Sequence, residues 1–98
     1  MIKEITLKEF DEYKNGIVLI DFFATWCGPC KMLAPVLEEF TLETNIPVLK
    51  VDIDKEEEFA NLFNIQAVPT VFVLEDGKVI NKAMGYQTKN NLLKLIKK

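Results

Sequence analysis

The sequence predicts an α/β fold, a mixed central sheet with helices on both faces. Three observations carry that reading. Stretches of strand character alternate with stretches of helical periodicity, in the order β-α-β-α-β-α, before the chain changes pattern. The run Ile17 to Ala24 is almost continuously apolar, which suits a central strand covered on both sides. Farther on, Val71-Phe72-Val73-Leu74 and Val79 to Lys82 are separated by Glu75-Asp76-Gly77-Lys78, the turn signature of an antiparallel hairpin. Right-handed crossovers between parallel strands, then this hairpin and a closing helix, make the sheet mixed.

The elements follow in order. Ile2 to Ile5 suit a short edge strand, and Thr6-Leu7-Lys8-Glu9 has the Thr-x-x-Glu form of a capping box opening a helix of one or two turns. Asn15-Gly16 closes that helix and returns the chain to the core strand Ile17 to Ala24. From Met32 to Phe40 the apolar residues Leu33, Val36, Leu37 and Phe40 fall at helical spacing, which predicts three or four turns. Pro35 inside this helix removes a bond to the Lys31 carbonyl, and a kink is expected there. Asn45-Ile46-Pro47 ends the helix, and Val48 to Ile53 reads as a second interior strand carrying Lys50. Asp54 is the expected N-cap of a short acidic helix through Phe63. After the hairpin and Gly85, Thr88 caps a last helix with Leu92, Leu93, Leu95 and Ile96 inward and Lys94, Lys97 and Lys98 toward its C-terminal end. No repeat, linker or low-complexity tract interrupts the pattern.

Composition bounds the function. The 98 residues, 49% of them hydrophobic, suffice for one core and not for two, so a single domain over 1–98 is expected. A net charge of -3, with lysine as the sole basic residue type, argues against binding a nucleic-acid backbone. With two cysteines and no histidine, the chain cannot assemble a Cys/His zinc site alone, and neither a metal nor a bound cofactor is expected. No stretch has the layout of a signal peptide or the roughly 20 apolar residues of a membrane helix, so a cytoplasmic protein without a membrane partner is expected. In that compartment a disulfide is more often transient and catalytic than structural.

Both cysteines lie in Trp26-Cys27-Gly28-Pro29-Cys30, between the core strand and the long helix. A helix starting near Cys27 turns free amide groups and its positive dipole end toward that sulfur, favouring thiolate over thiol. Cys30 lies one turn on, so the two sulfurs share a face and can close a small ring. This arrangement suits Cys27, the more exposed at the tip, to attack a substrate disulfide and Cys30 to resolve the mixed disulfide. Gly28 permits the tight strand-to-helix passage, and Pro29 is tolerated in a first turn.

Asp21 is the second informative residue. A carboxylate within an apolar strand costs about several kcal/mol unless protonated, hydrated or paired, and burial raises its pKa. With no histidine available, Asp21 is the best candidate to exchange a proton with Cys30; the plainer reading is a strand-end carboxylate facing water. Lys50 is its natural partner if the two interior strands are neighbours, or else a lysine snorkelling to solvent.

With Asp21, Trp26-Cys27-Gly28-Pro29-Cys30, Lys31, Pro35, Lys50, Pro69-Thr70, Gly77 and Gly85 in place, the whole chain resembles the thioredoxin family. The resemblance implies a five-stranded mixed sheet flanked by four helices, reduction of disulfides in substrate proteins, and a redox-active Cys27–Cys30 disulfide recharged by an external thioredoxin reductase. It also implies the roles of nucleophile for Cys27, resolving thiol for Cys30, buried acid/base for Asp21 and its neighbour for Lys50. Pro69 would be a cis proline beside the sulfurs. Trp26, Gly28, Pro29, Val68, Pro69 and Gly85 would line an apolar substrate surface, the Val68 backbone pairing in a β-like manner. Two residues depart from the family pattern. Phe23 stands where many members have Trp, keeping an aromatic wall without the indole N–H, and Met84 softens the docking surface. A monomer is expected. Competing readings are an oxidoreductase dedicated to one partner, a glutathione-dependent one, or a binding subunit whose dithiol is incidental.

Overall fold

The computed structural model describes residues 1–97. Five strands, β1 (Ile2–Glu4), β2 (Ile17–Phe23), β3 (Val48–Asp52), β4 (Thr70–Glu75) and β5 (Lys78–Met84), form one sheet in the order β1-β3-β2-β4-β5. β3 runs parallel to both β1 and β2, whereas β4 is antiparallel to β2 and to β5, so the sheet is mixed as the sequence predicts. The helices are α1 (Phe10–Tyr13), entered through a 3-10 turn at Leu7–Glu9, α2 (Gly28–Thr44), α3 (Glu57–Leu62) and α4 (Lys89–Leu95).

β2 is central because it can be buried on both sides. Val18, Ile20 and Phe22 face a core completed by Phe59 of α3 and by Phe10 and Tyr13 of α1. Leu19, one residue out of phase, meets Leu33, Leu37 and Phe40 of α2 and Leu92 of α4 on the opposite face. Side chains alternate along a strand, so Asp21 and Phe23 share the Leu19 face and lie on the α2 side of the sheet. On β3 the same alternation places Lys50 with Val48 on that side.

Local signals explain most element ends. The Thr6 N–H donates to the Glu9 carboxylate at 2.9 Å, the reciprocal half of the expected capping box. That bond is the leading reason the Glu9 carboxyl lies below its usual range. Asn45, at φ 61°, ends α2 in the left-handed region. Asp76 and Gly77, both at positive φ, make the hairpin turn between β4 and β5. Thr88 accepts from the Asn91 N–H at 3.1 Å to start α4. Lys98, expected at the C-terminal end of α4, lies outside the described residues.

Three expectations need correction. α2 spans 17 residues, about five turns instead of three or four, with Pro35 inside it. It begins a turn earlier than hydrophobic periodicity indicates, because its first turn carries the thiols rather than core side chains. α3 is preceded by Glu56, not Asp54, at its N-cap. Asp52 accepts from the Asp54 and Lys55 N–H groups at 2.9 and 3.3 Å in the turn that precedes α3, and no side chain caps the helix itself. β5 extends to Met84, two residues beyond the predicted strand.

Candidate active site

At the C-terminal end of β2 the chain passes from an extended Cys27 directly into α2. Cys27 is the N-cap, and its sulfur accepts from the Cys30 N–H at 3.2 Å. Pro29 falls in the first turn, where no intrahelical donor is needed. Cys27 and Cys30 are joined as a disulfide, their Cα atoms 5.3 Å apart. Both cysteines are buried, against Ala24, Phe23, Ile53 and Val68. Cys27 is 5% exposed and Cys30 3%, so the expected contrast in exposure is small. Trp26, Gly28 and Pro29 are exposed around them.

The opposite side of the site comes from the segment before β4. The Val68-Pro69 bond is cis. The Cys27 sulfur lies 3.6 Å from the Val68 carbonyl oxygen, a contact that a thiol proton would make a hydrogen bond. The Pro69 carbonyl accepts from the Gly85 N–H at 2.7 Å, and the Thr70 hydroxyl donates to the Ala67 carbonyl at 2.7 Å, so the segment is anchored at two points. The Val68 N–H makes no hydrogen bond among the described residues. Gly85, at φ +84°, is required by its backbone and not by crowding, since a Cβ there would meet nothing within 4 Å. Next to it Met84 is 61% exposed.

Two openings flank the disulfide. One, of about 160 Å³, is a groove lined by Trp26, Ile53, Ile65, Gln66, Ala67 and Val68. The other, of about 240 Å³, is lined by Phe23, Ala24, Thr25, Cys30, Lys31, Ala34 and Lys50. Asp54, absent from the sequence-derived site, donates geometry to the first by accepting from the Trp26 indole N–H at 2.9 Å. Its position just after β3, at the same sheet end as the thiols, was a signal that the reading as an N-cap concealed.

Asp21 is fully buried, which overturns the solvent-facing alternative. Neither carboxylate oxygen has a hydrogen-bond partner among the described residues. Burial pushes the carboxyl up to about 6 from its usual 3.8, with the Lys50 charge a smaller, opposing influence. Lys50 is its register neighbour on β3, yet the expected pairing is not closed. The Lys50 ammonium sits instead over the Phe23 ring, 4.6 Å from its centroid. Among the described residues no group of three His, Cys, Asp or Glu side chains is placed to hold a metal ion. No described helix is long and apolar enough to cross a membrane.

The family model described as Thioredoxin matches residues 1–98. A thioredoxin of Chlamydia trachomatis is 43% identical over 100 residues, covering 100% of this chain and 98% of that protein. A thioredoxin of Staphylococcus haemolyticus is 42% identical, covering 99% of this chain and 96% of that protein. Among solved structures, a mutant thioredoxin from Halobacterium salinarum superposes with a TM-score of 0.91 at 35% identity, over 97% of this chain and 87% of that one. With a dithiol pair that closes to a disulfide at the head of α2 and a match along the full chain, this chain belongs to the thioredoxin family, the dithiol–disulfide oxidoreductases.

Proposed function

We propose that the chain reduces disulfides of substrate proteins, working as one domain, with two thiols in sequential roles and Asp21 as the proton carrier between steps. In the reduced protein the Cys27 thiolate attacks one sulfur of a substrate disulfide. The substrate S–S bond breaks, a Cys27–substrate bond forms, and one substrate thiolate leaves. Cys30 then gives its proton to the ionised Asp21 and attacks the Cys27 sulfur. The second substrate thiolate leaves and the Cys27–Cys30 disulfide forms, so two electrons have passed from the dithiol to the substrate. Capture of protons by the two substrate thiolates completes the balance.

The observation that carries this reading is the disulfide at the start of α2, with the Cys27 sulfur accepting the Cys30 N–H. The same first turn favours negative charge on Cys27 whenever it is the thiolate or the leaving group. Asp21, raised to about 6 by burial, is suited to exchange a proton near neutral pH. Lys50, beside it on β3, biases that exchange. The exposed Trp26, Gly28 and Pro29, with Val68, Pro69 and Gly85 opposite, make the substrate surface. The free Val68 N–H supports pairing with an extended substrate segment.

A thioredoxin reductase is the proposed electron donor, the cytoplasm the proposed compartment and a monomer the proposed working form. The test is insulin disulfide reduction with NADPH and a bacterial thioredoxin reductase, run beside glutathione as the alternative donor. Turnover with the reductase and a trapped Cys27–substrate adduct in a Cys30→Ser variant are expected. Turnover with glutathione alone would overturn the donor, and absence of an adduct would overturn the thiol roles.

A further inference from the structure

Lys50 has a choice of partners that the structure has already made. β3 places it beside Asp21, in register, on the face of the sheet covered by α2. An ammonium neighbouring a buried carboxylate with two unpartnered oxygens would ordinarily close onto it. Here no hydrogen bond is made, and the ammonium sits 4.6 Å from the centre of the Phe23 ring. Phe23 and Lys50 then form one wall of the 240 Å³ cleft that Cys30 also lines.

We propose that Phe23 is a positioning residue for the thiol chemistry: its ring holds the Lys50 ammonium off the Asp21 carboxylate and along the cleft shared with Cys30, which keeps Asp21 able to take up and release a proton during resolution. The inference rests on the role given to Asp21 above. It concerns a position where an aromatic face, and not a hydrogen-bonding group, does the holding. β4 offers its register neighbour Val71, and Cys30 and Lys31 line the cleft with Lys50. On β3 the same face also carries the buried Asp52, in register with Phe23, whose carboxylate accepts from the Asp54 and Lys55 N–H groups. The Lys50 charge opposes the effect of burial on the Asp21 carboxyl.

The consequence has a sign. Without the ring, the ammonium closes on the carboxylate and stabilises its ionised form, so the Asp21 midpoint falls. The test is a carbon-13 NMR titration of the Asp21 carboxyl in the oxidised protein and its variants. Phe23→Leu is expected to lower the midpoint by about one unit, and Phe23→Tyr, which keeps the ring face, to leave it in place. Lys50→Met is expected to raise it, and Phe23→Leu added to Lys50→Met to change it no further. Phe23→Met serves where the leucine variant disturbs the fold. An unmoved midpoint in both ring-less variants overturns the proposal. So does an equal fall with and without Lys50, because that is the mark of altered packing alone. A resolution rate unchanged in Asp21→Asn would instead overturn the role of Asp21 in the reaction, a result the titration reads independently.

Discussion

Asp21 is held in the fold at an energetic cost. Its carboxyl titrates near 6 in the folded protein and near 3.8 when unfolded, because burial disfavours the charged form. Between those values the folded state binds more protons than the unfolded one, so stability falls as pH rises through that window. Below about pH 3.8 the group is protonated in both states and the penalty vanishes; above about 6 it is fully present, at about 2 to 3 kcal/mol. Asp21→Asn is therefore expected to stabilise the protein by that amount at pH 7 and by little below pH 4, as measured by urea unfolding at the two pH values. An equal gain at both would show that the effect is packing and not ionisation. A second residue, Asp54, works through one bond to the indole of Trp26, the single tryptophan in the chain. Asp54→Ala should alter stability by less than about 1 kcal/mol, since the bond is exposed. It should shift the tryptophan emission and raise KM for a protein substrate by up to about fivefold, with kcat little changed.

Among the elements, α2 carries two kinds of information along its length. Leu33, Leu37 and Phe40 repeat at helical spacing and are legible as a core-facing stripe. The first turn has no such stripe, and its position follows from Cys27 acting as N-cap through sulfur, which hydrophobic periodicity cannot reveal. α3 is the converse case. Glu56, Glu57 and Glu58 mark a helix start, but α3 begins without a side-chain cap, and Asp54 accepts from the Trp26 indole instead of capping it. α4 is legible more directly, since Thr88 precedes its first turn and accepts the Asn91 N–H. Thr88→Ala is expected to cost about 1 kcal/mol. Thermal unfolding would register it, with the disulfide-reducing activity retained because no residue of α4 lines either opening beside the thiols.

Across the whole molecule, two cores grip one sheet and place the site at one of its ends. On one face Phe22 and Phe72 of the sheet meet Phe59, Phe63 and Phe10, with ring centroids 5.0 to 6.1 Å apart. Phe59 is fully buried and touches Phe10, Phe22 and Phe63. Phe59→Ala should cost about 3 to 5 kcal/mol, read from denaturant unfolding, and leave the geometry at Cys27 and Cys30 intact in the fraction that remains folded. The thiols pack on Ala24, Phe23, Ile53 and Val68, of which Ile53 alone also packs against the Phe59 core.

What the sequence determined by itself is local: the alternation of strand and helix, the hairpin at Asp76-Gly77, and a thiol pair three residues apart where a buried strand meets a helix. These follow from side-chain periodicity and from capping and turn chemistry, which act over a few residues. What only the tertiary structure decided is which distant groups meet. Val68 reaches Cys27, Gly85 anchors Pro69, Asp54 takes the Trp26 indole, and Lys50 turns to Phe23 instead of Asp21. The identity of these residues is plain in the chain, but their pairing is a competition among polar groups settled by strand register and burial. Asp21 shows the difference most directly: its place in an apolar run foretold its burial, while sheet and helix packing left both its oxygens without a partner among the described residues.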